Sequence, residues 1–231
     1  MALIALALLP FPRRLRGWIV LNARGVVALM AFAGLRVRIE GREHLPDGPY
    51  LLAAKHESWG DGYVLLAELP DLAPVIGAHV LPGPLKGVLN RAGAIVVDNE
   101  GPAARRGRTL LAAAKAARAE GQPILIFPEG GMTPPDAHWP LRPGLGRLRE
   151  ALDWPVLPVA TNLGRFWPLA PGPLMRRGTA TVRILAPIDR QLAPPAFAVV
   201  LAESLATATD ELRDEAGPPP PGALLAGSSQ L

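Results

Sequence analysis

The chain has 231 residues, 49% of them hydrophobic, which is enough to bury a full core in one α/β domain. It contains no cysteine, so disulfides, thiolate zinc sites and cysteine nucleophiles are excluded, and its four histidines (His44, His56, His79, His138) show no metal-ligand spacing. The net charge of +4 is carried by 21 arginines against 3 lysines, and residues 1–39 hold Arg13, Arg14, Arg16, Arg24, Arg36 and Arg38 with no acid. An apolar, cationic end on a balanced chain points to an anionic lipid surface or to nucleic acid. Nucleic acid is the weaker choice. Arg13, Arg14 and Arg16 lie between two apolar stretches, not in a polar arm, and no helix-turn-helix, zinc-finger or aromatic RNA-binding signature follows.

In chain order, Met1–Leu9 is wholly apolar and is followed by Pro10 and Pro12. A second apolar stretch, Gly17–Leu35, is interrupted by Asn22 and Arg24. A spanning helix needs about 20 apolar residues, so the first stretch is too short and the second is broken by a charge. A secretory signal is disfavoured because the arginines follow the apolar run. Residues 1–34 are therefore predicted to form one or two helices lying in the membrane interface. Arg13, Arg14 and Arg16 would reach lipid phosphates, and Trp18 would join the membrane contacts. A buried amino-terminal helix and a true span are the alternatives.

From Leu35 short apolar runs alternate with helical stretches. Strands are predicted at Leu35–Glu40, Tyr50–Ala54, Ala73–Ile76, Ala94–Val97, Ile124–Phe127, Val156–Ala160 and Thr179–Leu185. Helices are predicted at Asp61–Leu69, Pro84–Asn90, Ala104–Glu120, Gly144–Leu152 and Pro195–Glu215. This alternation makes residues 35–216 one α/β domain with a mostly central β-sheet flanked by helices. The proline-rich tail, 217–231, is predicted to be disordered.

Four constellations sit at strand ends, where α/β enzymes place their chemistry. The first is Lys55-His56-Glu57-Ser58-Trp59-Gly60-Asp61. Histidine is the usual general base near neutral pH and works best with a carboxylate on one ring nitrogen. Residues five apart on a continuous helix lie about 140° apart, so His56 and Asp61 meet only if the chain turns between them. Gly60 and Gly62 permit such a turn, and Ser58 or Asp61 can cap the helix that follows. The second is Phe127-Pro128-Glu129-Gly130-Gly131, whose carboxylate can face the same crevice. The third is Gly93–Asn99, a strand ending in Asp98 and Asn99. The fourth is Val156–Ala160. Each taken alone is also compatible with a surface histidine, a capping acid or a simple turn.

In order and separation the four resemble the lysophospholipid acyltransferase family, whose familiar members are the 1-acylglycerol-3-phosphate O-acyltransferases. That family has a His-x4-Asp motif, a glycine-led strand ending in Asp-Arg, a Phe-Pro-Glu-Gly-Thr-Arg motif and a Val-Pro-Val-Ala-like strand. The resemblance covers roughly Leu35 to Asp189, including Leu141–Gly146 after the third motif, and the amino-terminal segment resembles the family's membrane-docking helices. It implies that His56 removes the proton from an acceptor hydroxyl while Asp61 holds the imidazole. The hydroxyl then attacks acyl-coenzyme A or acyl-carrier protein directly, with no metal and no bound cofactor. Backbone amides after His56 would stabilise the oxyanion, and Ser58 would orient or cap at the edge of the substrate site. Asp98, Asn99, Glu129, Gly130 and Gly131 would shape the acceptor site. The implied partners are a membrane lipid surface, a lysolipid acceptor and the acyl donor, and the implied location is the cytoplasmic face of the inner (plasma) membrane.

Two departures bear on the acceptor. Asn99, Gly131 and Met132 stand where the family has residues that contact the acceptor phosphate, and none offers a charged fork. Arg105, Arg106 or Arg142 can compensate from nearby; otherwise the acceptor is a lysolipid without a phosphomonoester, such as lyso-ornithine lipid. Two competing functions are a non-catalytic lipid-binding protein on the same fold and a hydrolase using Ser58 with His56. The hydrolase lacks the Gly-x-Ser-x-Gly elbow.

Overall fold

A computed structural model of the chain describes residues 8–81, 83–97, 103–135, 137–168 and 175–217, without the side chains of 84 and 103–106. The first described helix, α1, spans Pro12–Phe32. Its Pro12 sits in the first turn, where a fixed φ and a missing N–H cost nothing. Arg13, Arg14 and Arg16 thus lie in the first turns of this helix. Gly34, at φ +96, turns the chain directly into β1 (Leu35–Glu40). Then follow β2 (Leu51–Ala54), α2 (Gly60–Glu68), β3 (Ala73–Gly77), α3 (Gly83–Arg91), β4 (Ile95–Val97) and α4 (Ala103–Ala119). The remainder is β5 (Ile124–Ile126), α5 (Gly144–Leu152), β6 (Val156–Thr161), β7 (Gly178–Ile184) and α6 (Pro194–Glu215). From Leu35 to Glu215 each predicted strand and helix is present, and no end moves by more than one residue.

The strands form one seven-stranded sheet in the order β1-β7-β6-β2-β5-β3-β4. Strands β6, β2, β5, β3 and β4 run parallel, while β7 is antiparallel to β6 and parallel to β1. Helices cover both faces, so each central strand is apolar throughout and does not alternate. All four residues of β2 are buried. Leu51 and Ala53 pack with Leu110 and Ala114 of α4, Leu148 of α5 and Phe197 of α6. Leu52 and Ala54 face the other way, against Met30 of α1 and Val64 and Leu65 of α2. With β2 between β5 and β6, the loops after these three strands emerge side by side at one edge.

Helix α1 is buried on one side only. Leu15, Val20, Ala23 and Met30 face the domain. Leu21, Leu29 and Phe32 point outward, 66%, 61% and 91% exposed. Trp18 is half-buried, in contact with the Leu15, Val88 and Ala92 cluster, and lines a shallow groove of about 420 Å³ with Leu21, Asn22, Gly25, Val26 and Leu29. Arg16 turns inward: Nε donates to the Ala92 carbonyl at 3.0 Å and Nη2 to Glu120 at 3.4 Å. Arg13 is exposed, and Arg14 lies over the Phe11 ring.

Candidate active site

The chain leaves β2 at Lys55 and takes a non-helical turn through Ser58 before α2 begins. That turn brings residues five apart together, which a continuous helix would not. His56 Nδ1 lies 3.0 Å from Asp61 Oδ2. The same oxygen accepts the backbone N–H groups of Glu57 and Ser58, each at 2.8 Å. Asp61 is 2% exposed, in the first turn of α2, and its Oδ2 lies within hydrogen-bond reach of three nitrogens. An ionised carboxylate only accepts, so in the neutral imidazole Nδ1 carries the hydrogen and the lone pair lies on Nε2. Nε2 has no hydrogen-bond partner among the described residues.

The loop after β5 forms the other wall. The Phe127 ring stacks on His56, with centroids 3.9 Å apart and planes 18° from parallel. Thr133 is fully buried and donates to the His56 carbonyl from both its N–H, at 2.7 Å, and its hydroxyl, at 3.2 Å. Gly130 has φ +73, and a Cβ there would sit 2.3 Å from Arg142 Nε, so the arginine drapes over the glycine backbone. Arg142 Nε donates to the Glu129 carbonyl at 3.3 Å. Trp139 lies over Gly131, where a Cβ would meet its ring at 3.6 Å.

Lys55 and Glu57, on either side of His56 in the chain, belong to a buried charged group with Glu129. Lys55 is 1% exposed, and its Nζ donates to Glu129 Oε1 at 2.5 Å and to the Ala137 carbonyl at 2.7 Å. Glu57 is also 1% exposed, and its Oε1 has no partner among the described residues. Burial pushes the Glu57 carboxyl well above the usual carboxylic range. Asp61 beside it pushes the same way, as does Glu129, against the opposing pull of Lys55 and Arg213. Glu57 is thus biased towards its neutral form. It is also tightly packed: a Cβ on Gly164 would come within 2.5 Å of Glu57 Cβ.

This is a histidine held in one tautomer by a buried carboxylate, at the end of a central strand, equipped to take a proton at Nε2. The model of the family described as Acyltransferase matches residues 36–162, more than half of the chain. The chain belongs to this acyltransferase family. It is 30% identical over 145 residues to a 1-acyl-sn-glycerol-3-phosphate acyltransferase of Pseudomonas aeruginosa, covering 60% of this chain and 54% of the relative. The chain thus spans about half the length of that relative. In fold it is similar to the 1-acyl-sn-glycerophosphate (LPA) acyltransferase PlsC of Thermotoga maritima, with a TM-score of 0.65 at 19% identity, covering 93% of this chain and 81% of that one.

The stretch matched by the acyltransferase family model runs from β1 to β6 and contains both loops of the site. Several residues do other work than the sequence implied. The turn between His56 and Asp61 forms without a positive φ at Gly60 or Gly62. Gly60 supplies space, since a Cβ there would sit 2.8 Å from Leu163. The amides of Glu57 and Ser58 are committed to Asp61 and are not oxyanion donors. Ser58 is fully buried, and its Oγ accepts the Gly60 N–H at 3.0 Å, so it orders the helix start and does not face substrate. Glu129 is 5% exposed and turned to Lys55, not towards an acceptor. Asp98 and Asn99 lie outside the described residues, as does the side chain of Arg105. Strand β4, which leads to Asp98, is three places from β2, about 14 Å at the usual strand spacing.

Sequence reasoning gave no role to Lys55, Glu57, Phe127 or Thr133. A signal for the first two was present: charged residues directly after a fully apolar strand enter the interior and need partners there.

Proposed function

We propose that the chain is an O-acyltransferase that moves a fatty acyl group from an acyl thioester to the free hydroxyl of a lysolipid. The observation that carries this reading is the His56–Asp61 contact with Nε2 left open, in a member of the acyltransferase family. Nε2 removes the hydroxyl proton of the acceptor while its oxygen attacks the thioester carbonyl. The tetrahedral adduct then expels the thiolate, which takes that proton back from the imidazolium. Asp61 holds the ring and stabilises its cationic form throughout. The thioester is that of coenzyme A or of acyl-carrier protein. No metal and no bound cofactor enters these steps.

For the acceptor, the name of the Pseudomonas relative makes 1-acyl-sn-glycerol-3-phosphate the first lysolipid to test. Support comes from Arg142. Its guanidinium occupies the space above Gly130 and is exposed, and only Nε is engaged among the described residues. It offers a forked cation beside the two positions, Gly131 and Met132, that have none. A lysolipid without a phosphomonoester, such as lyso-ornithine lipid, is the alternative if Arg142 does not serve.

The reading also places the chain on a membrane. Helix α1 is long and apolar enough to cross a bilayer by length and composition. One long face of it packs on α2 and the sheet, which favours lying in the interface with Leu21, Leu29 and Phe32 immersed. The cytoplasmic leaflet, where acyl thioesters are found, is the side proposed.

The test is turnover of labelled acyl-coenzyme A with a panel of lysolipids, including 1-acylglycerol-3-phosphate and lyso-ornithine lipid. His56→Ala should lower acyl transfer by about 10²-fold or more. Equal turnover by the variant would remove His56 from the chemistry and leave a lipid-binding protein as the reading.

A further inference from the structure

A buried ammonium costs several kcal/mol unless it is both paired and hydrogen-bonded. Lys55 meets both conditions with groups from outside its own strand. Glu129 belongs to the loop after β5, and Ala137 to the stretch that leads to Arg142 and α5. One side chain thereby joins the three segments that carry His56, Phe127 and Arg142. Its Nζ is buried and engaged by two acceptors, so it is not free to meet a substrate. Glu129 depends on it as strongly. Glu129 Oε2 is buried without a hydrogen-bond partner among the described residues, and Oε1 is ion-paired with the Lys55 ammonium. Without that ammonium, Glu129 must take up a proton or move towards water. The second course displaces Pro128 and Phe127, the ring against which His56 lies.

We propose that Lys55 is a positioning residue for acyl transfer: through Glu129 it keeps Phe127 flat on His56, and so keeps Nε2 aimed in one direction. The proposal rests on the reading of His56 as the base. It gives the third-motif glutamate a part in orienting the base, where the sequence suggested contact with the acceptor.

Lys55→Met, Glu129→Gln and the double variant are compared with wild type after circular dichroism has shown each to be folded. Misplacing a catalytic group by about 1 Å costs on the order of 10²-fold, so each single variant should lose about 10- to 100-fold in kcat. The KM for acceptor should stay near the wild-type value. The double variant should be no slower than the worse single one, because the two groups act as one unit. Losses that multiply, or a raised KM in Glu129→Gln alone, would overturn the proposal. A readout independent of turnover is the proton NMR position of His56 Hε1, assigned with His56→Ala. The Phe127 ring current shifts it in wild type, and it should move back towards an unstacked position in both single variants. An unmoved signal in both would overturn the proposal whether or not the substrate has been found. If Lys55→Met does not fold, the nearly isosteric Glu129→Gln carries both measurements. Failure of His56→Ala to slow the reaction would end the base reading and leave the NMR result to decide the role of Lys55.

Discussion

Phe127 covers one face of the His56 imidazole, centroid to centroid 3.9 Å, while Asp61 holds the ring by its edge. A ring fixed by both a face and an edge has no free rotation about its side-chain bonds. The two holders come from different connections: Asp61 lies beyond β2, and Phe127 is the first residue after β5. Phe127→Leu keeps the apolar contact but loses the flat surface. An aromatic stack is worth about 0.5–1.5 kcal/mol beyond its area, so kcat should fall about 2- to 10-fold. The KM values should not change. Steady-state kinetics with the preferred lysolipid checks this, and an unchanged kcat would show that Asp61 alone orients the base.

Ser58→Ala separates two chemistries. With Oγ buried and accepting the Gly60 N–H, the hydroxyl orders the start of α2. Its loss should lower unfolding free energy by about 1 kcal/mol, as loss of a helix cap does. Acyl transfer should remain within about tenfold of wild type. A serine nucleophile would lose about 10³-fold or more. A loss of that size in a stable variant would restore the hydrolase-like mechanism.

Glu57→Gln tests the buried acid through pH. The folded chain holds the Glu57 proton to higher pH than the unfolded chain, which releases it near the ordinary glutamate value of about 4.3. The unfolded state therefore binds fewer protons above that value. The contribution of Glu57 to stability is complete at lower pH and is lost as pH rises towards its folded value. Glutamine does not titrate, so the variant should gain on wild type as pH rises, by at most about 1.4 kcal/mol per pH unit. Urea unfolding at a series of pH values from mildly acidic to mildly alkaline gives the slope. A constant offset between the two proteins would contradict a raised Glu57.

The outward face of α1 is open to a direct test. Fully burying an apolar side chain of this size is worth about 1.5–3 kcal/mol. Changing Leu21, Leu29 and Phe32 together to Gln should reduce binding to vesicles containing anionic phospholipid by about 10²-fold or more. The unfolding transition should barely move, since none of the three packs in the core. Unchanged cosedimentation would defeat the membrane-docking role.

Sheet and helices from Leu35 onward were legible because hydrophobic period and glycine or proline punctuation agree along the chain. Gly144–Leu152 shows this well: a three-residue apolar repeat of Leu145, Leu148 and Leu152, opened by Pro143-Gly144. Helix α1 begins at Pro12, five residues before the apolar stretch read from Gly17, because proline in a first turn begins a helix. His56 and Asp61 were legible as a pair through the resemblance of their motif to the acyltransferase family, since spacing and the glycine-bearing turn only permitted the contact. The partners of Glu129, Glu57 and the amides of the histidine loop were not. Sequence shows which charges enter the interior but not which of several nearby groups each one meets. Lys55 and Glu129 are 74 residues apart in the chain and meet only after β2 and β5 have paired.

The histidine loop hangs from the fourth of seven strands, with β6 laddered on one side of β2 and β5 on the other. Fraying begins at the rims of a sheet, at β1 and β4, where backbone groups lack a second neighbour. An opening that reaches Leu51–Ala54 must first undo ladders on both sides, so these amides belong with the slowest in the chain to exchange with deuterium. The His56–Asp61 contact is thereby tied to the part of the sheet that opens last, and breathing at the edges dies out before it reaches that contact.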